Sequence, residues 1–315
     1  MTTIDDVYAA ADRIRAHVHR TPTQRQRSLG DACGVGDLHL KAELLQRTGS
    51  FKVRGVLNTV LAMPEADRAR GLVTMSAGNH AAALAYAARM VGTTAVVVMP
   101  HTANPGKVAA TKSYGGEVVL TEAPLIETLT EVRERTGRTL VHPFDDPGVI
   151  AGAGTVGLEL LDDVPDVDVV IVQAGGGGLL AGVATVVKAL RPQARVYGVE
   201  PEGADAVSQG LAAGEPVHIK PLSVADALCA PFTGVHNLPL IAERVDEVVR
   251  IPDEPILAAL RLVAERTKYA AEPAGVTGIA ALLHGAIPVN EGETVAAILS
   301  GGNVDAATLA RLLAS

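Results

Sequence analysis

Short valine-rich runs recur between alanine-rich stretches of helical spacing along most of this 315-residue chain, and that alternation limits the fold more than anything else in it. Residues 71–76 (GLVTMS), 93–100 (TTAVVVMP), 116–121 (GEVVLT) and 138–144 (RTLVHPF) read as strands, with helices at 79–90, 105–114 and 123–136 between them. A second series has strands at 167–174, 194–200, 245–251 and 293–300, a helix after the glycines that follow residue 174, and a long helix at 253–269. Strands that alternate with helices pair in parallel and carry helices on both faces, so the expected class is α/β. The break between the series predicts a small domain at 70–146 and a larger one built from 1–69 plus 147–315. Aromatic residues are only 3% and tryptophan is absent, so the cores must be made of Ala, Val, Leu and Ile, as suits helix-covered parallel sheets.

Charge excludes several classes of function. The formal net charge is −8, and no basic tract exists to hold a nucleic-acid backbone or an anionic membrane. The first twenty residues are acidic and then amphipathic, without the basic and apolar regions of a signal peptide, and no apolar stretch reaches transmembrane length. Cys33 and Cys229 stand alone, which argues against a disulfide framework or a zinc site. A cytoplasmic protein acting on a small molecule is expected, with no nucleic-acid or membrane partner.

In open parallel sheets, ligands bind where strands feed into loops at their carboxyl ends. Three such loops stand out. In "SAGNHAAAL", Ser76, Ala77, Gly78, Asn79 and His80 join a strand to a helix, whose free N–H groups and positive end suit a carboxylate or phosphate. Asn79 as the N-cap of a plain turn fits equally well. In "QAGGGGLLAG", Gly175, Gly176, Gly177 and Gly178 precede Leu179 and a helix. Four glycines carry a large conformational entropy cost, which a phosphate held in a nest of N–H groups explains better than a simple turn. In "ILSGGNVD", Ser300 ends a buried strand before a sharp glycine turn, as a cleft hydroxyl or as a helix cap.

A rival reading uses the same glycines. Gly176, Gly178 and Ala181 satisfy the G-x-G-x-x-G/A dinucleotide fingerprint, and Glu200 ends the next strand where a ribose-binding acid belongs. A nicotinamide oxidoreductase would leave "TGSFKVRG" unexplained, where Lys52 follows Phe51 ahead of an apolar helical run. Lysines usually solvate their ammonium groups, and that window alone says nothing else. Joined to a glycine cradle, an Asn loop and a strand-end serine, Lys52 points instead to a phosphorylated aldehyde, pyridoxal 5′-phosphate. Burial would lower the lysine's pKa and free its amine.

The sequence resembles the fold type II pyridoxal-phosphate enzymes, in particular the serine/threonine dehydratase group that also contains the serine racemases. The resemblance runs from "RTPT" at 20–23 to "LSGGNVD" at 299–305 and is carried by "LKAELLQRTGSFKVRG", "SAGNHAAALA", "IAGAGTVGLEL", "GGGGLLAG" and "EPAGVTGIAAL" between them. It implies a two-lobed, tryptophan synthase β-like fold with parallel sheets covered by helices, usually a homodimer. It makes Lys52 the Schiff-base lysine beside Phe51, Gly175–Gly178 with Leu179 the phosphate cradle, and Asn79 the donor to the ring oxygen. Ser300 would meet the pyridine nitrogen, with Ser76, Ala77 and His80 near the substrate carboxylate. The implied reaction is dehydration and deamination of L-threonine, L-serine or a related 3-hydroxy amino acid to a 2-oxo acid and ammonia. A β-replacement enzyme of the cysteine-synthase type is the alternative on the same fold.

Departures narrow this. Ala77 stands where racemases of the group carry a second acid/base serine, which favours a one-base lyase over a racemase. The racemase-like cation site resembles "VEPEGADA", with Glu200 and Ala204 as candidate ligands and Ala206 in place of its final acid, so no tight divalent site is expected. Ala153 and Ala227 replace residues usual near the substrate pocket. No effector-binding C-terminal domain, and hence no feedback inhibition, is expected beyond Ser300.

Overall fold

The computed structural model describes residues 1–314. Its strands are β1 (Thr23–Arg25), β2 (Asp37–Lys41), β3 (Leu72–Met75), β4 (Ala95–Pro100), β5 (Glu117–Thr121), β6 (Thr139–Leu140), β7 (Val169–Gln173), β8 (Arg195–Pro201), β9 (Glu247–Ile251) and β10 (Thr294–Ile298). They form a six-stranded sheet in the order β1-β2-β10-β7-β8-β9 and a four-stranded sheet in the order β5-β4-β3-β6. Every pairing is parallel except β1 with β2, an antiparallel edge that the sequence pattern did not predict.

Side-chain alternation builds two cores around the larger sheet. Val170 and Val172 of β7 face one apolar layer while Val169 and Ile171 face the other, as the two-residue period of a strand requires. The helices Lys52–Ala62, Pro147–Asp163 and Gly178–Leu190 pack against one another on one side. Their contact is backbone-close: a Cβ at Gly152 would lie 2.5 Å from the Arg54 carbonyl, and one at Gly182 would lie 2.5 Å from that of Ile150. The glycines that weaken Pro147–Asp163 as a helix are thus needed where it crosses its neighbours.

A buried ion network locks this contact. Arg54 donates to both oxygens of Glu43 (Nε–Oε2 2.8 Å, Nη2–Oε1 2.8 Å) and of Glu159 (Nη1–Oε1 2.7 Å, Nη2–Oε2 2.9 Å). Lys41 donates to Glu159 at 2.8 Å and to the Thr21 carbonyl at 2.6 Å. Burial opposes charge on Arg54, but the two glutamates outweigh it and raise its pKa. Burial likewise opposes charge on Glu159, yet Arg54 and Lys41 hold its pKa below the usual carboxylate range.

Candidate active site

The carboxyl ends of both sheets open on one cavity of about 620 Å³. From the larger sheet come the turn that follows β2 and carries Phe51 and Lys52, the glycines after β7, and Ser300 after β10. From the smaller sheet come Ser76 to His80 after β3, Pro100 at the end of β4, Leu140 at the end of β6 and His142 to Phe144 after it. All the loop residues singled out in the sequence, Phe51, Lys52, Ser76, Ala77, Asn79, His80, Gly175 to Leu179 and Ser300, line it. Ala153 does not, while Ala227 does.

Lys52 opens the helix Lys52–Ala62, after a turn in which Thr48 takes φ 61° and Gly49 φ 74°. The Phe51 N–H donates to the Ser300 carbonyl at 3.1 Å, which ties the start of this helix to the end of β10. Lys52 Nζ donates to the Pro143 carbonyl at 2.7 Å and lies 5.2 Å from the centroid of the Phe51 ring. Protein packed around it lowers its pKa to about 8, and no carboxylate offsets that burial. A sizeable share of neutral amine near physiological pH follows, which is what a nucleophile and base needs.

The glycine loop answers its sequence puzzle in two parts. A Cβ at Gly175 would lie 2.8 Å from the Leu228 carbonyl, and one at Gly178 would lie 2.9 Å from that of Phe144. Gly177 has φ 94°. Packing therefore forbids side chains here, with or without a ligand. Yet the N–H groups of Gly175 to Gly178 donate to no acceptor among the described residues, and the helix Gly178–Leu190 has no side-chain cap. Those unmatched donors suit an anion.

On the other wall Gly78, not Asn79, is the N-cap of the helix Asn79–Met90, which removes the plain-cap reading of Asn79. The Asn79 amide donates to Glu272 Oε1 at 2.6 Å and accepts from Asn303 Nδ2 at 2.7 Å, leaving one N–H free. His80 Nε2 lies 3.1 Å from the Val141 carbonyl and so carries the proton, while Nδ1 is buried without a partner. Burial first, then the nearby Lys52 charge, pushes its pKa down to about 3, so the imidazole is neutral. A carboxylate would meet backbone N–H groups of Asn79 and His80 here, and not an imidazolium.

Residues missed in the sequence complete the cavity. Glu272, whose pKa burial raises to about 7, orients Asn79 and keeps Oε2 unpartnered. Lys107 and Asp226 form a 2.5 Å ion pair along the lining. His142, Phe144 and Phe232 pack edge to face, with centroids 4.8 Å apart for His142–Phe144 and 5.4 Å for Phe144–Phe232. The run 138–144 reads as one strand, but only Thr139–Leu140 is strand, and His142 to Phe144 turn into the cavity. Glu200 and Ala204 lie outside the lining. Glu200 accepts from the Val207 N–H at 2.8 Å and from the Ser208 N–H and hydroxyl at 2.9 and 2.8 Å. Both oxygens are thereby engaged at the start of the helix Ala206–Ala213, which corrects the ribose-ligand reading.

This layout of two parallel sheets around a lysine and an anion cradle defines a cofactor enzyme of the α/β class. A family model described as pyridoxal-phosphate dependent enzyme matches residues 14–301. The chain is 41% identical over 307 residues to an L-threonine ammonia-lyase of Geobacter sulfurreducens, covering 96% of this chain and 76% of that one. It is 42% identical over 318 residues to a phenylserine dehydratase of Ralstonia pickettii, covering 99% and 97%. The structure of maize serine racemase superimposes with a TM-score of 0.93 at 38% identity, covering 98% of this chain and 96% of that one. The chain belongs to the pyridoxal-phosphate dependent enzymes, and the dinucleotide reading is withdrawn. The residues present fit that cofactor: a partly neutral amine, a row of unmatched N–H donors and a strand-end hydroxyl face one cavity.

Proposed function

We propose that this protein is an ammonia-lyase that dehydrates and deaminates an L-3-hydroxy amino acid of the threonine and serine type, giving a 2-oxo acid and ammonia. The observation that carries this reading is Lys52: an amine with a lowered pKa and no acidic partner, open to the cavity that the glycine loop lines. The ammonia-lyase and dehydratase names of relatives near 40% identity support it.

When bound, pyridoxal phosphate supplies an aldehyde for a covalent link to an amine and an electron sink for the α-carbon. Lys52 would anchor it, Gly175 to Gly178 with Leu179 would hold its phosphate, Asn79 would offer its free N–H to the ring oxygen, and Ser300 would offer a hydroxyl to the ring nitrogen. Phe51 flanks Lys52. Ser76 and the N–H groups of Asn79 and His80 bind the substrate carboxylate. The Lys52 amine takes the α-proton, and the β-hydroxyl leaves as water. The methyl group of Ala77 has no proton to exchange, so a second face of the α-carbon goes unserved and elimination prevails over racemisation. Residues 70–146 act as the small substrate-loop domain, and 1–69 with 147–315 as the large cofactor-binding domain. A cytoplasmic homodimer is consistent with the family resemblance and the acidic charge.

The test is release of 2-oxo acid from a panel of 3-hydroxy amino acids of both α-configurations. L-selective release with little D-serine formed from L-serine is expected. Comparable racemisation would overturn the role given to Ala77, and no release from any member would overturn the lyase reading.

A further inference from the structure

All three phenylalanines of the chain, Phe51, Phe144 and Phe232, line this one cavity, while none of the five tyrosines does. In a protein with so few aromatic rings, that concentration needs a reason. Phe51 lies by Lys52, where the cofactor belongs. Phe144 and Phe232 sit together with His142, Phe144 against Gly176 of the glycine loop and Phe232 also beside His218, as an aromatic cluster of the kind that accepts another ring.

The cluster continues into an apolar wall. Leu140, at the end of β6, and His142, Pro143 and Phe144, in the bend that follows, all line the cavity. Beyond Leu140 the lining is Met75, Leu125, Ile126 and Leu129, contributed by the end of β3 and the first turns of the helix Leu125–Thr136. Asn79, Ser300 and the glycine loop, placed for the cofactor, share the cavity with this wall. A hydroxymethyl or methyl group would leave the apolar wall facing water, whereas a large apolar group would bury it.

Charge points the same way. Among the described residues no arginine lines the cavity, and Lys107 is already paired with Asp226 at 2.5 Å. A second carboxylate on the substrate would find no guanidinium there and, apart from Lys52, no ammonium that is not already paired.

We propose that the pocket for the β-substituent is built for an aryl or comparably large apolar group, so that the preferred substrate is a 3-hydroxy amino acid of the 3-phenylserine type, with Phe232 and Ile126 as specificity-determining residues. This rests on the lyase reading and specifies its substrate. The reaction balances without an oxidant. The α-hydrogen leaves as a proton and the β-hydroxyl leaves as water. Hydrolysis of the released enamine returns one water, so that 3-phenylserine gives phenylpyruvate and ammonia.

The experiment compares kcat/KM of the holoenzyme for L-threo-3-phenylserine and L-threonine, with calorimetric binding of the unreactive probes 3-phenylpropanoate and butanoate. The expected result is a phenylserine-to-threonine ratio of about tenfold or more, the scale on which apolar pockets discriminate. Phe232→Ala and the exposed, fold-tolerant Ile126→Asp should each lower that ratio roughly tenfold and weaken the phenyl probe more than butanoate. Threonine turned over as well as or better than phenylserine would overturn this inference and leave the lyase reading standing. Turnover of neither substrate would overturn the lyase reading. In that event, preferential binding of 3-phenylpropanoate that Phe232→Ala abolishes would still support the aryl pocket, and equal binding of the two probes would overturn it.

Discussion

Lys41 and Lys52 are both withdrawn from water, in opposite company. Lys41, fully buried, has Glu159 at 2.8 Å and the Arg54 network beside it. Lys52 has a backbone carbonyl at 2.7 Å and a ring. Burial depresses both amines, but only Lys41 has acids that pull its pKa back. The two acids that line the cavity are engaged elsewhere, Glu272 with Asn79 and Asp226 with Lys107. The same operation, removing a cation from solvent, makes a structural charge where carboxylates surround it and a reactive amine where they do not.

Replacing each partner tests that contrast. Lys52→Ala should cut turnover by roughly 100- to 10,000-fold, the range lost with a positioned acid–base group, while circular dichroism and apoprotein melting show the fold intact. Unfolding of this variant would return Lys52 to a structural role. The sign of its pH effect is also fixed. The folded pKa of about 8 lies below that of an unfolded lysine. The unfolded chain therefore binds more protons between the two values, and apoprotein stability should rise with pH from about 8 toward roughly 10.4. Lys52→Ala should lose that rise. Arg54→Met should instead cost about 3–5 kcal/mol in denaturant unfolding, because it strands Glu43 and Glu159 without their shared cation. A loss under about 1 kcal/mol would show that the network is not what holds these helices together.

The same contrast marks what the sequence could reveal. The strands of both series and the helix at 79–90 were legible, because valine runs and helical spacing are local signals. The antiparallel edge was not: β1 has three residues, and β2 carries the half-buried His39 and also Lys41, buried beside its partner Glu159 from a distant helix. Lys52 and the glycine loop were legible as a constellation, since loops at the carboxyl ends of parallel strands converge. Their physical state was not, because it depends on which acids stay away. Glu272, His142 and Phe232 escaped notice for a related reason. Glu272 opens one of the motifs that carry the resemblance, yet like the other two it becomes part of the site only when separate loops close around one cavity.

The most direct measurement is reduction of the holoenzyme with borohydride followed by peptide mapping, paired with the pH dependence of amine labelling in the apoprotein. The cofactor should be found on Lys52 alone, and labelling of Lys52 should rise with a midpoint near 8, while Lys41 stays unlabelled throughout. Cofactor fixed to Lys41 or Lys107, or a Lys52 midpoint at the ordinary lysine value of about 10.4, would contradict the claim that burial without a carboxylate makes this amine reactive.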